Sequence, residues 1–143
     1  MKNILKLEEL ALFGISLYAL YYFDAAWWYY LLLFLGPDLS MIGYAFGNKT
    51  GAALYNLFHH KALAVIFFLW GFIIGTSILI LIGIILFGHA SMDRIFGYGL
   101  KYETGFQFTH LGVINKKHEH AKVWFLILIP FTYSANFRTG FSG

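Results

Sequence analysis

Long uncharged apolar runs constrain this chain more than any other feature of its sequence. The longest apolar run leads into Gly88-His89-Ala90-Ser91-Met92-Asp93, and the 143 residues are 59% hydrophobic and 12% charged. A chain of this length forms one compact domain, and a surface with so few charges must be covered largely by lipid. The strand-type alternation that a lipid-facing barrel needs is missing. The sequence therefore predicts an all-α integral membrane protein.

Four membrane helices are predicted from the apolar runs and the turns between them, with approximate bounds 6–23, 26–47, 52–74 and 77–97. The second helix contains Gly36-Pro37-Asp38, and we expect a break there because proline removes a backbone donor and the adjacent glycine eases the bend. The prediction is thus a four-helix transmembrane domain over 1–112 that ends in an irregular segment. A polar and short apolar tail over 113–143 should lie at the interface, because its apolar stretch is too short to span.

Basic residues indicate how the chain is oriented in the membrane. Lys2 and Lys6 precede the first predicted helix, and Lys49 lies in the second turn. Arg94 and Lys101 follow the fourth helix, whereas the first and third turns carry no basic residue. By the positive-inside rule both termini are cytoplasmic. The net charge of +3 comes with no nucleic-acid-binding module, so the expected partner is membrane lipid and not nucleic acid.

Four ionisable residues are candidates for a site, because such groups at membrane depth are functional by default. Asp38 and His59 lie on either side of the second turn, each roughly 12–15 Å from it at ~1.5 Å per helical residue. His89 and Asp93 are four residues apart, so they share one helical face near the cytoplasmic end of the fourth helix. We therefore expect the four side chains to converge on one pocket in the cytoplasmic half.

Two nitrogen and two oxygen ligands suit a divalent metal, zinc first and manganese or iron second. A different interpretation of the same residues is a structural polar network. In that case Asp93 pairs with Arg94 or Lys101. Asp38 would then cap the half-helix after Pro37, and each histidine would bond a neighbouring helix.

Several motifs, in this order along the chain, resemble a known family. They are Pro37-Asp38-Leu39-Ser40-Met41-Ile42-Gly43-Tyr44, Gly47-Asn48-Lys49, Tyr55-Asn56-Leu57-Phe58-His59, the segment from Gly88-His89 to Tyr102, and Thr109-His110-Leu111-Gly112. Together they look like the small bacterial membrane proteins of the domain of unknown function 4260 family, over about residues 5–112. The resemblance implies a multi-pass protein of the inner membrane.

A more distant resemblance concerns chemistry. The pairing of Pro37-Asp38 with Gly88-His89 and the following Asp93 is similar to the membrane-bound metal-dependent hydrolase family, which is linked to phospholipase-type reactions. This resemblance implies that Asp38, His59, His89 and Asp93 are the metal ligands.

Two classes of function are consistent with these observations. The first is a metal-dependent hydrolase of a lipid or membrane-embedded ester or phosphoester, in which the metal lowers the pKa of a bound water and Asp38 or His110 moves the proton. Lys49, Arg94 and Lys101 would hold a phosphate head group at the cytoplasmic rim. The second is a non-catalytic bundle, a carrier or an assembly subunit, whose polar residues form a structural network. The motifs of acyl-transfer, phosphate-binding and dinucleotide-binding enzymes are missing.

Overall fold

The computed structural model describes residues 2–114, and these are mostly helical. The elements in chain order are α1 (Lys2–Tyr22), α2 (Trp27–Leu35), a 3₁₀ helix (Pro37–Phe46), α3 (Asn48–Phe58), α4 (Lys61–Ile74), α5 (Ser77–Phe96), β1 (Phe108–Thr109) and β2 (Gly112–Val113). The interfacial tail predicted over 113–143 lies outside the described residues, apart from its first two.

Helix α5 is the centre of the fold. In a membrane-length stretch of α5, 61% of the residues are buried, against 17% for Trp27–Phe46. Helices α1, α2 and α4 all pack against α5. Their shared core contains apolar side chains from α1, α2 and α5, namely Leu20, Leu33, Ile80, Leu81, Ile84 and Ile85. The polar end of α5 is therefore enclosed by other elements.

Two segments of the described chain are long and apolar enough to cross a membrane, Trp27–Phe46 and Ser77–Phe96, and α3 with α4 makes a third if this bent pair is one span. Helix α1 is long enough to cross a membrane, but every 18-residue stretch of it contains three charged residues, Lys6, Glu8 and Glu9, so it does not count as a candidate span. The structure thus confirms a helical, membrane-compatible fold. It supports two or three spans and does not confirm the predicted four.

The predicted break in the second helix is present. Helix α2 ends at Leu35, and Pro37 begins the 3₁₀ helix, with Gly36 between them. Proline is tolerated at the first position of a helix because its missing N–H would have no partner there. The change from α to 3₁₀ geometry places Asp38 at the start of a new element.

The prediction of one continuous helix over 52–74 is wrong. Helix α3 begins at Asn48 and ends at Phe58, α4 begins at Lys61, and the two axes differ by 45°. The break falls at His59, whose ring nitrogen Nδ1 lies 2.8 Å from the carbonyl oxygen of Tyr55. Neither glycine nor proline marks this position, where His59, His60 and Lys61 interrupt the apolar run.

The 3₁₀ helix and α3 form a hairpin that doubles back at Gly47. They approach closely at Gly51, where any side chain would collide with the ring of Tyr44. Asp38 lies at the beginning of this hairpin and His59 just past its end. The hairpin therefore brings these two residues to the same level, as the count from the turn predicts.

Helix α5 ends at Gly97, whose φ of 90° lies in the left-handed region that favours glycine. The chain then folds back, and the Asn56 side chain holds it in place with bonds of 2.6 Å to the Lys101 N–H and 2.8 Å to the Lys101 carbonyl. Strands β1 and β2 form a short antiparallel hairpin. The segment predicted to be irregular does return to the bundle, but it contains this hairpin.

Candidate metal centre

Four side chains from three elements meet at the enclosed end of α5. Asp38 comes from the start of the 3₁₀ helix, His59 from the end of α3, and His89 with Asp93 from one face of α5. One ligand atom from each residue lies within 4.8 Å of the other three. The predicted convergence is therefore confirmed, and we call these four residues the Asp/His cluster.

The separations between the cluster's ligand atoms suit a small cation. Asp38 Oδ1 lies 3.3 Å from His89 Nε2 and 3.6 Å from His59 Nε2. Asp93 Oδ2 lies 3.4 Å from His59 Nε2, and Asp93 Oδ1 lies 3.8 Å from His89 Nε2. A tetrahedral ion with bonds of ~2.0–2.1 Å holds its ligand atoms about 3.3–3.4 Å apart. The four histidine–carboxylate separations, which involve both Asp93 oxygens, approach this spacing, whereas the set of one ligand atom per residue extends to 4.8 Å.

Backbone carbonyls orient both histidine rings. The Nδ1 atom of His89 lies 2.8 Å from the Leu33 carbonyl oxygen, and that of His59 lies 2.8 Å from the Tyr55 carbonyl oxygen. Because a carbonyl can only accept, each Nδ1 carries the proton and donates it, which leaves a lone pair on Nε2 of the neutral ring. Metal-binding histidines are usually held in this way.

The break at Pro37 explains why the Leu33 carbonyl is available. Leu33 precedes Pro37 by four residues, so the missing N–H of proline leaves the Leu33 carbonyl without its helical partner. His89 supplies the donor instead. The Tyr55 carbonyl, at the last turn of α3, keeps its helical bond from the His59 backbone N–H at 3.0 Å and accepts the His59 ring as a second donor. One acceptor is thus freed by a helix break, and the other is shared.

The inward nitrogens of the two histidines have no hydrogen bond. Among residues 2–114, neither His59 Nε2 nor His89 Nε2 has a hydrogen-bond partner, although both are buried and face carboxylate oxygens. Two lone pairs and two carboxylates at this distance repel one another unless a cation lies between them. A divalent ion balances the two carboxylates and so lowers the cost of burying them. The residues present therefore fit a divalent metal.

Tyr55 supports the cluster from behind. Its hydroxyl donates a 2.5 Å hydrogen bond to Asp93 Oδ2, and its ring stacks on the His59 ring with centroids 3.7 Å apart. The sequence pattern assigns Tyr55 no chemical role. Its position four residues before His59 is the one signal that could have found it, because that spacing places the two on one helical face.

One side of the cluster is open. The Asp38 side chain is 38% exposed, whereas those of His59, His89 and Asp93 are 0–11% exposed. A cavity of about 10 Å³ lies beside His59 and Asp93, close to the ~10–15 Å³ that one water needs. Structural zinc sites are closed and catalytic ones keep a position open. Asp38 is thus the residue of the cluster that solvent reaches most easily.

These residues lie within a region that matches a protein family. The model of the family described as Domain of unknown function (DUF4260) matches residues 2–114. The chain belongs to the DUF4260 family. No curated protein and no solved structure matches it significantly. The matched region of this DUF4260 chain includes the whole Asp/His cluster and Tyr55.

In this DUF4260 chain one pairing expected for a structural network is formed, because His89 bonds the Leu33 carbonyl of the neighbouring α2, whereas those expected for Arg94 and Asp38 are not found among the described residues. Arg94 Nη1 lies 3.5 Å from Glu9 Oε1, so its partner is Glu9 and not Asp93. Asp38 makes no capping bond at the start of the 3₁₀ helix. Both carboxylates face the histidines instead.

His110 lies outside the Asp/His cluster. Its side chain is exposed, and its Nδ1 accepts a 2.9 Å hydrogen bond from the Leu100 N–H. This contact braces the loop after α5. A role for His110 in proton transfer stays a prediction.

The basic residues expected at a cytoplasmic rim have different surroundings. Lys49 is exposed at the start of α3, and Arg94 is half-buried beside Glu9. Lys101 is only 3% exposed, so its predicted place on the rim is wrong. No pattern in the sequence indicates that an aromatic enclosure forms around it.

The Lys101 ammonium lies among aromatic rings. Its Nζ is 4.0 Å from the Phe106 ring centroid and 4.9 Å from that of Tyr55. Burial lowers the pKa of Lys101, while the carboxylates of Asp93 and Asp38 act in the opposite direction. The Lys101 ammonium is therefore held over the rings of Phe106 and Tyr55.

Replacing Tyr55 with phenylalanine is expected to weaken metal binding about 10- to 100-fold, the usual effect of removing a group that supports a ligand. The fold should persist because the ring and its stacking on His59 remain. Competition with a fluorescent chelator on detergent-solubilised protein measures the affinity. Tyr102→Phe, at an exposed tyrosine, is the control. Equal affinities for the two variants would show that the Tyr55 hydroxyl does not support Asp93.

Proposed function

We propose that the chain is an integral protein of the inner membrane that binds one divalent metal ion through Asp38, His59, His89 and Asp93. Zinc is the first choice, and manganese or iron the second. The observation that carries the proposal is the pair of buried Nε2 atoms, which face two carboxylates without hydrogen-bond partners among the described residues. Such an arrangement needs a cation.

We further propose that the centre belongs to a hydrolase of a lipid or another membrane-embedded ester or phosphoester. A bound divalent ion supplies Lewis acidity toward the ester or phosphoester oxygen. Asp38 is the cluster carboxylate that solvent can reach, so it is the residue to hold or move a proton, with His110 as a second candidate. The apolar exterior of the fold supports a substrate that arrives through the membrane.

A second candidate is a non-catalytic bundle, a carrier or an assembly subunit. The four contacts between histidine nitrogens and carboxylate oxygens, at 3.3–3.8 Å, are short enough for ion pairs if the histidines are protonated. In that case the cation in the cluster is a proton. The two functions therefore differ in which cation the cluster holds.

Elemental analysis of protein purified without chelators distinguishes these functions. We expect one equivalent of metal per chain, and stripping it with a chelator should lower the melting temperature because the ion binds the folded state only. Added zinc should restore the original value, and fluorescent phospholipid vesicles report any hydrolysis. A metal-free protein whose melting temperature ignores both chelator and zinc would leave only the protonated network.

Reporter fusions test the orientation. The turn at Gly47 and the turn at Gly75 lie at opposite ends of the α3–α4 pair. A fluorescent protein fused at Lys49 should therefore fluoresce, because that turn is expected in the cytoplasm. A phosphatase fused at Thr76 should be active, because that turn is expected in the periplasm. If both fusions report the same side, α3 and α4 form a re-entrant loop.

A further inference from the structure

A groove on the outer face of the bundle lies between α1, α4 and α5. Its volume is about 220 Å³, and its walls include Ile15, Ala64, Phe68, Ile84 and Phe87. Of the side chains lining it, Ser16 alone is polar, and the Ser16 hydroxyl donates to the Leu12 carbonyl at 3.0 Å. The walls therefore offer no free hydrogen-bond donor from a side chain, and an occupant must be largely apolar.

The size of the groove limits what it can hold. An apolar cavity of about 150 Å³ binds a benzene molecule, whereas sites for whole drug-sized ligands run to about 300–1,000 Å³. A volume of about 220 Å³ thus suits a segment of one alkyl chain. Ile15 and Val65 in the walls are exposed on the outer surface, so such a chain can enter from the bilayer.

Three charged residues, Glu9, Lys61 and Arg94, lie at one end of this groove. Lys61 precedes Ala64 by three residues, and Arg94 follows Phe87 by seven, so each charge lies one or two turns from a wall residue on the same helical face. Lys61 Nζ also lies 5.1 Å from the Phe87 ring centroid. The charged residues therefore close the apolar groove at that end.

The charged end contains two basic side chains, Lys61 and Arg94, and two carboxylates, Glu9 and the nearby Glu8. Glu9 contributes one carboxylate and binds both Lys61 and Arg94. Lys61 has three N–H donors and Arg94 has five, and each uses one on Glu9. Both side chains remain partly exposed. They can therefore donate further hydrogen bonds to a phosphate group.

We propose that this groove binds one anionic phospholipid, with an acyl chain between the helices and the phosphate at Lys61 and Arg94. Arg94 also lines the small cavity beside His59 and Asp93, so a phosphate bound at Arg94 would be near the candidate metal centre. That this lipid is the substrate rests on the proposed hydrolase, whereas the binding itself does not.

Photolabelling in nanodiscs tests the binding. The probe is phosphatidylglycerol with a diazirine on its acyl chain, diluted in phosphatidylcholine, and mass spectrometry of the digested protein locates the label. We expect label on the groove residues of α1 and α4. Lys61→Gln and Arg94→Gln should each lower it about fivefold, the effect of one basic residue near an anionic lipid. Lys6→Gln removes the same charge from an exposed position of α1 and should leave the label unchanged.

A second pair of variants tests the apolar part without altering charge. Val65→Trp should fill the groove and remove the label, whereas Ile66→Trp, at the next and exposed residue outside the lining, should not. Equal labelling of these two variants, or equal labelling by a phosphatidylcholine probe in the wild type, would overturn the proposal. Label that is unchanged after the metal is stripped supports the lipid site independently of the hydrolase. If the wild-type protein keeps its metal but its groove residues carry no label, the lipid site is overturned and the proposed metal centre is not.

Discussion

Replacing Asp93 with alanine is expected to remove the bound metal and to lower the free energy of unfolding by about 3–5 kcal/mol, the usual cost of taking one partner from a buried charged network. Asp93 accepts the Tyr55 hydroxyl and faces both histidines. Without it the hydroxyl is buried with no acceptor, and Asp38 alone faces the two rings. Chemical unfolding in mixed micelles and elemental analysis measure the two effects.

Two further variants show what causes these effects. Glu103→Ala removes a carboxylate from an exposed position and should change the free energy of unfolding by less than about 0.5 kcal/mol. Asp93→Asn keeps an oxygen that can accept the Tyr55 hydroxyl but removes the charge, so it should recover part of the stability and none of the metal. If Asp93→Ala is as stable as Glu103→Ala, the cluster is not a buried charged network.

Replacing His59 with alanine is expected to weaken metal binding by more than about 100-fold, because the loss of a ligand exceeds the 10- to 100-fold effect of losing a group that supports one. The adjacent His60 is a matched control, since it is exposed and its side chain makes no capping bond to α4. His60→Ala should bind metal like the wild type. Competition against a chelator of known affinity measures both, and equal losses would mean that His59 is not a ligand.

The meeting of the four side chains of the Asp/His cluster can be predicted from the sequence, although the predicted helix over 52–74 is divided into α3 and α4 in the structure. Counting residues from the turn at Gly47 places Asp38 and His59 at equal depth, and that count is independent of the chain beyond His59. The break at His59 has no glycine or proline to mark it, and the three polar residues His59, His60 and Lys61 are its one signal in the sequence. It is associated with a bond between the His59 ring and the Tyr55 carbonyl, which only the folded chain shows.

The ion pairs of Glu9, near the N-terminus of α1, cannot be predicted from the sequence. The predicted bounds place Glu9 near the beginning of the first helix, Lys61 within the third and Arg94 near the end of the fourth. The structure pairs Glu9 with these partners, which are 52 and 85 residues away along the chain. Helical spacing relates residues three or four apart, so contacts at such separations cannot be predicted from it.

The main-chain acceptors of the two histidines have a consequence for how this centre tolerates change. Every residue type carries a backbone carbonyl, so substitutions at position 33 or 55 leave the acceptor in place. The path of the backbone therefore determines which nitrogen of each imidazole carries the proton. Insertions act differently, because one extra residue in α2 rotates the carbonyls after it by about 100° around the helix axis. Side-chain substitutions at these two positions therefore keep the acceptors of the histidines, although a substitution of Tyr55 loses the hydroxyl bond to Asp93. A change in the length of α2 does not keep them.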